Sequence, residues 1–135
     1  VDSIERRRLS EVAIELDHRR VFGEHADVLN AATMAKRIDD QAFPSYLKQI
    51  LRTWDDLWET VEPFLMPGQA IRRTLVQAGG VTTLKAIQRT QAEAEQALLY
   101  GSHYRKRYTV LDLFWELGLF PEVAPRILER AGVLD

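Results

Sequence analysis

Cysteine is absent from the 135 residues, which excludes disulfides and thiolate metal sites and fits a cytoplasmic protein. A long apolar run is also missing: nothing approaches the roughly 20 residues that span a bilayer, so no membrane association is expected. The charged start Val1-Asp2-Ser3-Ile4-Glu5-Arg6-Arg7-Arg8 is no secretory signal, and the lack of an initiator Met is compatible with a trimmed or excised piece. Neither sign of charge dominates, with 18 Lys and Arg against 20 Asp and Glu, so no global field draws the chain to nucleic acid or an anionic surface. Any such binding has to be local. Glycine and proline are sparse, at 7 and 5 residues, so each one is informative as punctuation.

Period-two alternation over strand length is lacking too, whereas spacing of three and four recurs throughout. The expectation is an all-α fold, a single helical domain over residues 1–135 with about seven helices. Ser3 is read as the N-cap of a first helix running to His18, with Leu9, Val12, Ala13 and Leu16 inward and Arg6, Arg7 and Arg8 outward. Glu24 to Lys36 reads as a buried small-residue helix that includes Val28, Leu29, Ala31 and Ala32. Ser45 is taken to cap a long third helix with a wide stripe of Leu47, Ile50, Leu51, Trp54, Leu57, Trp58 and Val61. Core packing is the favoured reading of Trp54, Trp58, Phe114 and Trp115, against a partner-binding aromatic surface.

Pro67 opens a further helix with Ala70, Ile71, Leu75 and Val76 inward, stopped by Gly79-Gly80. Thr90-Gln91-Ala92-Glu93 has the form of a capping box, in which the first hydroxyl and the fourth residue's carboxylate satisfy each other's backbone N–H. Thr109-Val110-Leu111-Asp112 repeats the pattern, and Gly118 is placed to end that helix in the left-handed conformation. Pro121 to Gly132 forms the last helix, with Val123, Ile127 and Leu128 inward.

Two groups of polar residues are candidates for chemistry. Arg105, Lys106 and Arg107 with Tyr104 and Tyr108 offer guanidinium forks to a phosphate or to a partner. The alternatives are basic residues near the end of a preceding helix, favoured by its dipole, and, least favoured, contact with nucleic acid. His18, Glu24, His25 and Asp27 are a weaker group, imidazoles and carboxylates able to carry protons, against the simpler reading of polar residues flanking a loop.

Several segments resemble the C-terminal helical domain of the glycerol-1-phosphate dehydrogenases, including the AraM-like members, within the wider group of iron-containing alcohol dehydrogenases, glycerol dehydrogenases and dehydroquinate synthases. Arg105-Lys106-Arg107-Tyr108-Thr109-Val110-Leu111-Asp112 is similar to that family's R-x-R-Y-T-x-L-D segment. Leu75 to Thr83 resembles a helix ending in A-G-A-P-T-T, and Gly23-Glu24 with Ala31-Ala32-Thr33-Met34-Ala35 resembles a G-E-x-V-G…L-M-A segment. The similarity runs over about residues 10 to 131.

The resemblance implies an NAD(P)-linked polyol-phosphate oxidoreductase that also uses zinc, in which such a domain packs on a nucleotide-binding body and on other subunits. A homo-oligomer and a separately encoded nucleotide-binding domain are therefore the expected partners. Val12 and Phe22 stand where the family's metal histidines would fall, and neither can ligate zinc. No strand followed by a glycine-rich phosphate loop is present. The expectation is a subunit, remnant or fragment that binds no metal or NAD(P) by itself and has no complete catalytic activity. The alternative is a non-catalytic helical interaction module, a scaffold or oligomerisation unit.

Overall fold

The computed structural model describes residues 7–134, so the Ser3 cap and Arg6 lie outside the described residues. Every regular element among them is helical: α1 Glu11–Phe22, α2 Ala26–Met34, α3 Phe43–Val61, α4 Gly68–Gln77, α5 Gln91–Tyr100, α6 Val110–Glu116 and α7 Phe120–Ala131, with short 3-10 turns at Gly23–His25, Glu62–Phe64 and Lys85–Ile87. Five of them run ten residues or more, while α2 and α6 are shorter.

Local signals set most of the boundaries. Ser10, in extended backbone, accepts from the Ala13 N–H at 3.2 Å and starts α1. Thr90 and Glu93 close a complete capping box at α5. At α6 the Thr109 N–H and hydroxyl both donate to one Asp112 oxygen at 2.7 Å. Gly118 then takes φ +64°, and a Cβ there would stand 2.5 Å from the Arg7 Cβ, so both backbone and neighbour demand glycine.

The phase of α1 differs from the expectation. Leu9, Val12 and Leu16 are exposed, whereas Ile14 and His18 face inward. Ala26, Leu29, Ala32 and Thr33 are the buried side of α2, with Val28 turned to solvent. With Phe43 and Leu47 from the start of α3, Tyr100, Leu113, and Phe120, Ala124 and Leu128 from α7, they make the core.

Beyond Leu47, α3 leaves that core. Trp54 and Trp58 keep 42% and 48% of their surface open, and Leu51, Leu57 and Val61 are also exposed. Their expected place in the core is thus corrected: the stripe has the predicted spacing, but little of this chain covers it. The same holds for α4, where Ile71, Leu75 and Val76 are exposed. Pro67 acts as its N-cap. Arg72 ties α4 to the end of α7 by donating to the carbonyls of Ala131 at 3.2 Å and Gly132, and the Leu84 N–H donates to the Val133 carbonyl at 2.8 Å. Phe114 and Trp115, also expected in the core, are part-buried.

Candidate functional site

Two features stand out: a buried polar network joining the first and last thirds of the chain, and an open apolar groove along α3. The network begins with Ser102 and His103 in the turn after α5. His103 meets His18 of α1, Nδ1 to Nε2, at 2.9 Å, and each residue is only 1% exposed. Aromatic edges enclose the pair, with Trp115 at 5.0 Å and Tyr100 at 5.6 Å from the His103 ring and Phe22 at 5.9 Å from the His18 ring. Tyr100 donates to Asp17 at 2.6 Å, and Arg20 pairs with the other Asp17 oxygen at 2.6 Å. Burial holds the Tyr100 hydroxyl above its ordinary pKa, and the Asp17 carboxylate adds to that.

Lys36, following α2, reaches Asp112 at 2.5 Å and the Ser102 carbonyl at 2.5 Å, inside the protein. Burial alone would raise the Asp112 pKa, but the hydrogen bonds from Lys36 and Thr109 outweigh it and hold the group low. One turn further along the same face of α6, Glu116 accepts from Arg8 at 2.8 Å and from the Ile38 N–H at 2.9 Å. Arg8, expected outside, turns inward instead, lies 4.1 Å over the Phe43 ring and bonds Asp40 at 2.6 Å. Buried charge is tolerated here because each ion has a partner and further hydrogen bonds.

His103 is held by burial at a pKa of about 4, an effect deepened by the charges of His18 and Lys36. Burial lowers His18 as well, against Asn30 and Asp17. An unfolded histidine takes up its proton near pH 6.5, so between about pH 6.5 and 4 the unfolded chain binds a proton that the folded one refuses. Stability is expected to be level above that window and to fall by roughly 3 kcal/mol on descending through it, at about 1.4 kcal/mol per pH unit. Urea unfolding at a series of pH values measures the slope, and His103→Gln should flatten it.

His18 is therefore drawn into the interior, while Glu24 and His25 sit at the surface, 3.8 Å from each other and away from it. Asp27 instead pairs with Arg19 at 3.2 Å. The proposed polar group is not one site. His103, Asp112, Lys36 and Glu116 carry the actual network. The signal available in the sequence was the i, i+4 pair Ile14 and His18, an inward stripe once histidine is counted among its members.

Arg105, Lys106 and Arg107 lie in the exposed segment beyond the end of α5 at Tyr100, so they do not cap its carbonyls. Among the described residues none of the three is in an ion pair. Tyr108 differs from them. Its hydroxyl and that of Tyr46 are 3.3 Å apart, and burial with that contact raises its pKa. Tyr108 also lines the groove, about 350 Å³, with Tyr46, Ile50, Trp54, Leu57 and Trp58.

Zinc does not fit the residues present. Val12 is exposed, Phe22 packs edge-on to His18 and Tyr100, and no group of three or more His, Asp or Glu among the described residues is placed to hold a metal. The two imidazoles that do meet are spaced as hydrogen-bonding partners and have no third ligand. No described helix is long and apolar enough to cross a membrane. Comparison with protein-family models, curated proteins and solved structures found no match. Fold and site together define an all-helical protein with a charged, largely paired interior, in which the outer ring nitrogens of the two histidines, His18 Nδ1 and His103 Nε2, are left without a partner, and an uncovered apolar face.

Proposed function

We propose that this chain is a helical docking module, in which the network-braced end is the scaffold and the α3–α4 face is the working surface. The observation that carries the reading is the run of Trp54, Leu57, Trp58 and Val61, continued by Phe64 at 85% exposed, on one side of a 19-residue helix. Large contiguous apolar surface of this kind, rich in tryptophan, is what protein interfaces are made of. The groove between α3 and Tyr108, Val110 and Leu113 supplies a receptacle for a side chain of the bound protein.

A second reading has one observation in its favour. Arg105, Lys106 and Arg107 are exposed beside the groove-lining Tyr108, where they are available to a phosphate. Taken with the resemblance to the glycerol-1-phosphate dehydrogenases, this supports a subunit or fragment of an NAD(P)-linked polyol-phosphate oxidoreductase whose nucleotide-binding part is supplied elsewhere. In that case the same apolar face is what the nucleotide-binding body would cover.

A photo-reactive phenylalanine analogue in place of Trp58, with one in place of Arg126 as control, tests the docking reading. The expected result is an intermolecular cross-link from position 58 to a peptide identified by mass spectrometry, absent from the control. Reaction only within its own chain would sink the reading.

A further inference from the structure

We infer, resting on the docking reading, that the α3 groove takes one amphipathic helix of another protein, laid antiparallel to α3. Its basic residues lie over Asp55 and Glu62, and its acidic C-terminal end lies at Arg105 and Arg107. The groove itself selects a helix. Among its lining residues the Thr109 hydroxyl and N–H are spent on Asp112, and the phenols of Tyr46 and Tyr108 face each other, which leaves chiefly indole N–H groups to bond a guest. An extended peptide would bury a row of backbone donors and acceptors there without partners, whereas a helix brings its own. From Tyr46 to Val61 the groove follows α3 for about 22 Å, the length of about four helical turns.

Charge at the rim sets the chemistry and direction of the guest. Asp55 and Glu62 stand three residues before and four after Trp58, and Glu62 keeps helical backbone, so both border the stripe on its Leu51 edge. Arg52, Asp56 and Glu59 turn away from it. Asp55 and Glu62 are exposed, and neither is in an ion pair among the described residues. The opposite edge is neutral, since Thr53 and Thr60 return their hydroxyls to carbonyls of their own helix. At the Tyr46 end, Arg107 directly precedes Tyr108, and Arg105 is no more than about 11 Å of chain from it. The groove is thus positive at that end and negative towards Val61, where the last carbonyls of α3 add to the carboxylates. A guest helix with its N-terminus at Val61 and its C-terminus at Tyr108 sets each end of its dipole against opposite charge, and the reverse direction opposes both.

Three labelled synthetic peptides of about 16 residues, titrated against the full chain by fluorescence anisotropy, put this to the test. All carry leucine at i, i+4, i+7 and i+11. The first has lysines in its first two turns and glutamates in its last, the second has the two exchanged, and the third is the first with a central proline. The second peptide is the better helix by itself, its charges matching its own dipole, so tighter binding of the first reports the groove. The first is expected to bind about tenfold or more tightly than the second, and the third not measurably. Asp55→Lys with Glu62→Lys should narrow the gap, and adding Arg105→Glu with Arg107→Glu should reverse the order. Trp58→Ala should weaken both.

Circular dichroism showing unchanged helix in these variants keeps the result separate from misfolding. Equal affinities for the first two peptides overturn the inference, as does a proline peptide that binds as well as the first, or no binding of any. A cross-link from position 58 to a second copy of this chain, or to a non-helical segment of another protein, removes the inference and leaves the docking reading standing. Absence of any intermolecular contact at position 58 removes both.

Discussion

Glu116→Ala is expected to lower the unfolding free energy by about 3–5 kcal/mol, read as a shift of the urea midpoint with unchanged slope. Glu116 is 1% exposed and accepts from Arg8 and from the Ile38 N–H. Removing it strands a guanidinium over Phe43 and leaves a backbone donor without its acceptor. Arg8 keeps Asp40 and the Ile38 carbonyl, but the first contact lies towards solvent and the second acceptor carries no charge, so neither replaces the buried carboxylate. Pairing Arg8→Met with Glu116→Leu should recover most of it, since two apolar groups need no partners. A double variant as unstable as Glu116→Ala would show that packing, and not charge burial, sets the cost.

Asp112→Ala is expected to be at least as damaging, at about 3–5 kcal/mol for the broken buried pair and about 1 kcal/mol more for the lost cap. One Asp112 oxygen serves Lys36 and the other serves the Thr109 N–H and hydroxyl. Asp112→Asn keeps part of the capping and should fall between the two. The pH dependence has a definite sign. Asp112 has a lowered folded pKa, so its stabilisation is present above the unfolded carboxylate value near 3.9 and is lost as pH falls through the folded value. The histidine effect acts at higher pH, so acid unfolding should begin with His103 and finish with the carboxylates.

The caps at Thr90, Thr109 and Gly118 were legible in the sequence because each is settled within about four residues by backbone N–H groups seeking acceptors. What faces inward on α1 was not. Counting Leu9, Val12 and Leu16 as the inner side assumes that polar residues prefer water, and here His18 and Arg8 find their partners in residues 103 and 116, far along the chain. No local window contains that information. The tryptophans failed in a different way. Trp54 and Trp58 mark an amphipathic helix correctly, but periodicity does not say whose surface the stripe is meant to meet. The basic run at Arg105 was placed near a helix end on its charge, while α5 stops at Tyr100.

The long reach of these contacts bears on how the chain folds as it is made. His18 and His103 are separated by 85 positions and Arg8 and Glu116 by 108, so the first helices have polar groups to bury before their partners exist. Closing loops of that size early is entropically costly, and local helices form long before such contacts can reward it. On the ribosome, α1 to α5 would therefore wait, helical but unconsolidated, with the α3 stripe exposed, until α6 emerges and neutralises the waiting cations. Synthesis that stops before Asp112 should leave a chain for chaperones and proteases rather than a smaller version of the protein.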